Sequence, residues 1–408
     1  MADLARERLF DTLIATLIGL RLPESAPLER IGDGGAYALV RRLVAATRAT
    51  EIDDIHISGC VTAGSVVIPA AIVTAAAHRV DTEAMLRGVA AGYHAGIALA
   101  AAAGGATIVY RGIWPTYLAA PFAAAAAAAV ARGMDGAMTA AALRLAIVRT
   151  TAVVDRAGPR WLSLGSAAVE GLVAADAAAA GMDAGEAVLD NWAEQCGLTL
   201  DAGALAGPSQ LGSIDCKTFP TSRQGLAAIE AFRSLRARDP GRRIAGITVN
   251  VPQPYLGMVG AIARPRNRIE SMTSVAWQMA LAEYRPDLLL EVARDDLPQD
   301  SRLDAFAALV DVAGDERLTS LYPRCWSARV RIAYVDGGWS ETEDLSPAGS
   351  RRLGWGGLHA KALALADANG IARDRVDRLL AAAQGSAPGD IVAIDHYLDR
   401  QELAAASE

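Results

Sequence analysis

Asp53, Asp54 and His56 crowd two carboxylates and an imidazole into one short stretch. These side-chain types carry protons near neutral pH when a site tunes them. They act either as proton carriers at a reaction centre or as local caps that satisfy helix-end and backbone groups. Lys217 precedes a turn containing Pro220 and offers a cation or general acid, or else a plain surface charge. Arg160 and Arg223 each open a helical run. A guanidinium can hold an anion or a salt bridge but cannot give up its proton near neutrality, and Arg223 reads as the more structural of the two. Trp114 either lines a pocket or fills core. His94, within an alanine-rich run, reads as a core histidine with a displaced base as the rival reading, and His78, His359 and His396 are given no role.

The elements that must position these groups fall into two textures. Residues 11–20, 36–48, 70–79 and 84–103 have helical patterns, with Pro69 placed at a helix start and Asp81 as an N-cap. Pro115 and Asp135 open the next two helices, and Gly104, Gly105, Gly133 and Gly181 punctuate helix ends. The texture changes at 207–212 (GPSQLG). Beyond it come a helix over 223–237 and period-two runs over 244–252 and 327–335, which predict half-buried strands of an antiparallel sheet. Helices are expected between them at 271–284 and 286–292, and again at 356–369 and 374–383. The expected domains are therefore 1–209, helical; 210–345, α+β; and 346–408, helical and returning to the first.

Bulk properties agree with that division. A chain of 408 residues exceeds what one core supports, so two domains are expected. Hydrophobic residues make up 52% but aromatics only 5%, so the apolar content is largely alanine, which favours closely packed helices. A net charge of −7 argues against a nucleic-acid partner. Cys60, Cys196, Cys216 and Cys325 show no metal-knuckle or disulfide spacing, and the N-terminus lacks an apolar leader core, so a cytoplasmic protein is expected. The apolar stretches 97–110 and 118–130 fall short of the ~20 residues a membrane span requires.

A series of short motifs in fixed order resembles the MmgE/PrpD family, which includes 2-methylcitrate dehydratase, cis-aconitate decarboxylase and iminodisuccinate epimerase. DTLIATLIGL (11–20) is similar to the family's opening helix. EIDDIHISGCVTAGSVVIPAA (51–71) is similar to the segment in which an acidic pair and a histidine precede H-P-G-x-x-x-x-P-A. GYHAGIAL, RGIWPTYLAAPFAAAAAAA, GPRWLSLGSAAVEGLVAADAAAAGM and CKTFPTSRQGLAAIEA follow, then YPRCWSARVRI and GGLHAKALALA near the C-terminus.

The resemblance implies a mainly α fold: a large all-helical domain built from both chain ends, with a smaller inserted α+β lid domain. It also implies a homodimer and a cofactor-free active site in the cleft between the domains, with no metal. Carried over position by position, Asp53, Asp54, His56 and Lys217 are the catalytic candidates. Thr62, Arg111, Trp114, Arg160 and Arg223 are the substrate-binding candidates. Thr62, Trp114 and Leu226 stand where the family carries histidines, and Arg160 where it carries a lysine. Fewer imidazoles, with Trp114 and Leu226 in their place, predict a more apolar cleft.

The expected activity is that of a cofactor-independent lyase or isomerase moving a proton beside a carbonyl or carboxylate. The expected substrate resembles a secondary metabolite and is less charged than a tricarboxylate, with a cyclisation as a variant. The rival reading is a family fold that has lost catalysis and binds a small molecule.

Overall fold

The computed structural model describes residues 2–31, 34–150, 160–292 and 296–385. His396 and the last few residues, expected to be unstructured, lie outside the described residues. The chain is mostly helical with small sheets.

The first part runs α1 (Ala2–Gly19), α2 (Gly35–Ala49), β1 (Ile55–His56), α3 (Gly64–His78), α4 (Thr82–Ala102), α5 (Pro115–Ala131), α6 (Gly136–Val148) and α7 (Arg160–Ala179). Short α8 (Val188–Gln195), α9 (Ala202–Leu205) and β2 (Ile214–Asp215) follow. Its packing rests on small residues. Gly88, Gly92 and Gly96 recur every four residues along α4, so they share one face. A Cβ at Gly88 would lie 2.5 Å from the Ala127 carbonyl oxygen, and one at Gly92 would lie 2.9 Å from that of Ala123. Glycine there lets α4 press directly onto the alanine run of α5. α7 docks the same way: a Cβ at Gly165 would meet the Arg41 oxygen of α2 at 2.3 Å, and one at Gly171 the Pro121 oxygen of α5 at 2.2 Å. Among the described residues α7 is the one helix long and apolar enough to cross a membrane, yet these contacts seat it in the helical core.

Asp81 and Asp135 cap α4 and α6 as expected, accepting from the amides of Ala84 and Met138. Pro69 departs from expectation. α3 begins five residues earlier, at Gly64, so the proline lies inside the helix rather than at its start. The cap that starts α3 comes from far upstream: the Asp54 carboxylate accepts from the Gly64 amide at 3.1 Å.

The second part holds α10 (Arg223–Arg238), β3 (Ile244–Pro252), α11 (Leu256–Val259), α12 (Arg268–Thr273), α13 (Val275–Tyr284), α14 (Pro286–Leu289), α15 (Ser301–Ala307), β4 (Val310–Asp315), α16 (Glu316–Leu321), β5 (Ala328–Tyr334) and β6 (Trp339–Asp344). The sheet is mixed rather than purely antiparallel, in the order β4-β3-β5-β6. β3 pairs antiparallel with β5 but parallel with β4, which it reaches through the helical crossover α11–α15. The helix expected over 271–284 breaks at Ser274, whose hydroxyl caps α13. The one expected over 286–292 stops at Leu289. Leu226, Phe232 and Trp277 pack against Ile247, Val249, Val330 and Ile332 to give this part its own core.

α17 (Trp355–Ala368) and α18 (Arg373–Gln384) then return to α1, where Leu358, Leu365 and Leu379 join Phe10, Ile14 and Leu17. A buried bond from Lys361 to Asp11, 2.7 Å long, reinforces that return. The two-stranded β1–β2 pair, Ile55 opposite Asp215, ties the segment before α3 to the segment before α10.

Candidate active site

Lys217 follows β2 at the seam between the two parts, and only 1% of it is exposed. Its ammonium donates to Glu51 Oε2 at 2.9 Å and to Asp53 Oδ1 at 3.4 Å. Arg48, in the last turn of α2, places Nη1 2.8 Å from Glu51 Oε1 and donates to Asp53 Oδ1 at 3.3 Å. Arg160, the first residue of α7, brings Nη2 to 3.6 Å from Glu51 Oε1. Local chemistry fixes this geometry. Thr50 ends α2 by donating to the Thr47 carbonyl and accepting from the Ile52 amide. Glu51 then takes a left-handed φ of 55°, which turns the chain back over the helix end and sets Arg48 and Glu51 face to face.

The two carboxyls of this cluster are pushed in opposite directions. Burial acts to raise Glu51, but Arg48, Lys217 and Arg160 outweigh it, so Glu51 titrates below the ordinary range and stays ionised. Burial also raises Asp53. There Arg48 and Lys217 offset only part of the effect, the Glu51 charge adds to it, and the net direction is up. Asp53 Oδ2 is buried with no hydrogen-bond partner among the described residues. Neighbouring carboxyls driven apart in this way are a recurring mark of acid–base sites. Three cations facing one fixed carboxylate also suit the binding of an anion. Arg48 and Arg160 keep 13% and 17% of their side chains exposed, so the arginines form the solvent side of the cluster.

The segment entering β1 deals its side chains alternately. Asp53 faces the cluster, and Ile55 packs with Trp326. Asp54 and His56 turn toward α4 instead. Asp54 accepts from the Tyr93 hydroxyl at 2.6 Å as well as from Gly64. Burial lifts it to about 6, against the pull of Arg8 and the Tyr93 bond. His56 Nδ1 accepts from the Gly59 amide at 3.1 Å, and burial lowers the ring to about 4, so it is neutral near pH 7. It lines a separate cavity of about 330 Å³ with His94, Ile97, Pro208 and Gln210. The expected catalytic set is thus split, with Asp53 and Lys217 on one side and Asp54 and His56 on the other.

The binding candidates divide as well. Arg160 is in the cluster. Thr62 is buried, and its amide donates to Thr116 Oγ1 at 3.1 Å, which ties the loop before α3 to the start of α5. Trp114 is half-buried at the cap of α5 and packs on the helical core. Arg111 lies on the surface and donates to the Gly197 carbonyl at 3.0 Å. Arg223 is buried and donates to Asp215 at 3.1 Å and Ser346 at 2.7 Å, bracing α10 against β2. Leu226 sits fully inside the core of the second part, so it does not make a cleft more apolar. Glu51 and Arg48 were missed by sequence reasoning. The signal available was their spacing of three residues at a helix end. Among the described residues no group of three His, Cys, Asp or Glu side chains could hold a metal ion.

The MmgE/PrpD N-terminal domain pattern matches residues 43–197, and the C-terminal domain pattern matches residues 219–384. The chain belongs to the MmgE/PrpD family, a family of dehydratase and lyase type. No curated protein sequence gives a significant match to the chain. Of the Lys217 cluster, Arg48, Glu51, Asp53 and Arg160 fall in the first matched region, and Lys217 lies in the segment between the two.

Proposed function

We propose that the protein is a cofactor-independent lyase or isomerase that moves a proton on a carbon beside a carbonyl or carboxylate, at the Arg48–Glu51–Asp53–Arg160–Lys217 cluster. The observation that carries this reading is the opposed tuning of Glu51 and Asp53 around one buried lysine. Glu51 remains a carboxylate that orients Lys217 through their 2.9 Å bond. Asp53, with an oxygen unpartnered among the described residues and a raised carboxyl, is the group that takes and returns the proton. Lys217 and the two arginines stabilise the enolate-like anion this produces. Part of their charge is already spent on Glu51, which fits a substrate with fewer carboxylates than a tricarboxylate, such as an intermediate of secondary metabolism. Residues 210–345 act as the lid over the helical body, and the working unit is a cytoplasmic homodimer.

The test is to incubate the purified protein in deuterated water with 2-methylcitrate, citrate, cis-aconitate, iminodisuccinate and a panel of larger mono- and dicarboxylic acids. Products and carbon-bound deuterium are followed by mass spectrometry. Expected is exchange or turnover within the less charged set, abolished by Asp53→Asn. Exchange that survives Asp53→Asn unchanged removes Asp53 from the chemistry. Fastest turnover of a tricarboxylate overturns the charge argument. The rival, a binding or accessory protein, draws on the closed pairing of Lys217 with Glu51 and Asp53. A ligand that raises the melting temperature without any exchange selects it.

A further inference from the structure

The cavity of about 330 Å³ beside α4 has no part in the chemistry proposed above, yet three elements build it. His94, Ile97, Ala98 and Ala101 are spaced three and four residues apart along α4, so they form one continuous strip of its surface. Ala204 and Pro208 line it from the segment that links the two parts of the molecule. That segment is pinned to α4. The Asp201 amide donates to the Ala102 carbonyl at 3.0 Å, and the Asp201 carboxylate accepts from the Gly203 amide at 2.8 Å. The third side is the turn after β1, closed by His56 and Val61, whose backbones exchange bonds of 2.8 and 3.2 Å.

His56 is only 4% exposed, but it lines this cavity. Its Nδ1 accepts from the Gly59 amide, so the neutral ring carries its proton on Nε2. That Nε2–H has no partner among the described residues. A buried donor left unpaired is costly, and an acceptor atom placed in the cavity would recover the loss. Among the described residues no Asp, Glu, Lys or Arg lines the cavity, and most of the lining is aliphatic. Such walls disfavour an ion, whose desolvation nothing there offsets. They suit an apolar body with one polar atom, and the volume is in the range of small-molecule sites.

We propose that this cavity is a second ligand site, which binds a small uncharged molecule made of an apolar ring and one carbonyl oxygen that accepts from His56 Nε2. His94 supplies a second imidazole on the α4 wall. The site is separate from the Lys217 cluster, and the assignment does not depend on what the cluster does.

The test uses the purified protein with isotope-labelled histidine, titrated near neutral pH with acetophenone and, separately, with benzoate. The two share a phenyl ring and differ in charge. Acetophenone should shift the ring-nitrogen resonances of His56 and His94 saturably, leave those of His359 in place, and find His56 protonated at Nε2. His56→Asn keeps an acceptor for the Gly59 amide but lacks the Nε2–H, and should weaken binding about fivefold. Ala101→Trp, or Ala204→Trp from the opposite wall, should fill the cavity and abolish it. Benzoate should give no saturable shift. Absence of a saturable acetophenone shift in wild type, or binding that survives both tryptophan variants unchanged, overturns the site. Benzoate binding as tightly as acetophenone overturns its assignment to an uncharged ligand.

Discussion

Asp53 and Asp54 are adjacent in sequence and both almost fully buried, yet they sit in opposite kinds of surroundings. Asp53 enters a crowd of charges, shares two cations with Glu51, and keeps one oxygen without a partner among the described residues. Asp54 has both oxygens occupied, one by a helix-start amide and one by a tyrosine hydroxyl. A carboxylate whose bonds are all used inside the protein holds the fold together. One with an unused, desolvated oxygen is available to a substrate. Burial alone does not distinguish the two, but the hydrogen-bond inventory does.

The largest expected effect comes from removing the cation that the charged side depends on. Lys217→Met leaves Glu51 and Asp53 buried with one cation fewer, and should cost roughly 3–5 kcal/mol in chemical denaturation. A loss under about 1 kcal/mol would mean that the cluster is not held in the buried arrangement. Next, Asp54→Ala removes the cap of α3 and leaves the Tyr93 hydroxyl unpartnered. About 2–3 kcal/mol of stability should go, while carbon exchange stays near wild type. The neighbouring Asp53→Asn should behave in the opposite way, shifting stability by less than about 1 kcal/mol while abolishing carbon exchange. Similar phenotypes for the two variants would erase the distinction drawn between them.

The smallest effect concerns His56. Its folded value lies near 4, below the ordinary 6.5, because burial disfavours the charged ring. The folded state therefore binds this proton more weakly than the unfolded chain does. The His56 contribution is fully present above pH 6.5 and is lost as pH falls from 6.5 toward 4. His56→Asn, which can still accept the Gly59 amide, should flatten the acid side of the stability profile across that window. An unchanged profile would mean that the ring is not desolvated.

Most helices were legible because their determinants are local. Asp81, Asp135 and Pro115 mark starts that hold in the structure, and the glycine spacing along α4 is visible before any fold is known. β4 and β6 were not legible. β4 (VDVAGD) pairs in parallel with a strand far upstream, and β6 (WSETED) is a half-exposed edge with little apolar alternation. The start of α3 escaped because its cap, Asp54, lies ten residues earlier in the chain. Within the site, Asp53, Lys217 and Arg160 were in the expected set. Nothing in residue types alone revealed that Asp54 and His56 turn toward α4, since that depends on the direction of side chains entering β1. Glu51 escaped because its contribution depends on a left-handed turn, a conformation that residue type does not announce at a glutamate.

The most direct test of the opposed carboxyls is an infrared difference titration of wild type, Asp53→Asn, Asp54→Asn and Glu51→Gln. Above the ordinary carboxylate range, and beside the Asp54 absorption that titrates near 6 and disappears in Asp54→Asn, wild type should show a protonated-carboxyl band that Asp53→Asn removes and that Asp54→Asn and Glu51→Gln do not remove. A spectrum with no such band, or one in which Glu51→Gln removes it, would contradict the assignment of Asp53 as the proton carrier and Glu51 as the fixed charge.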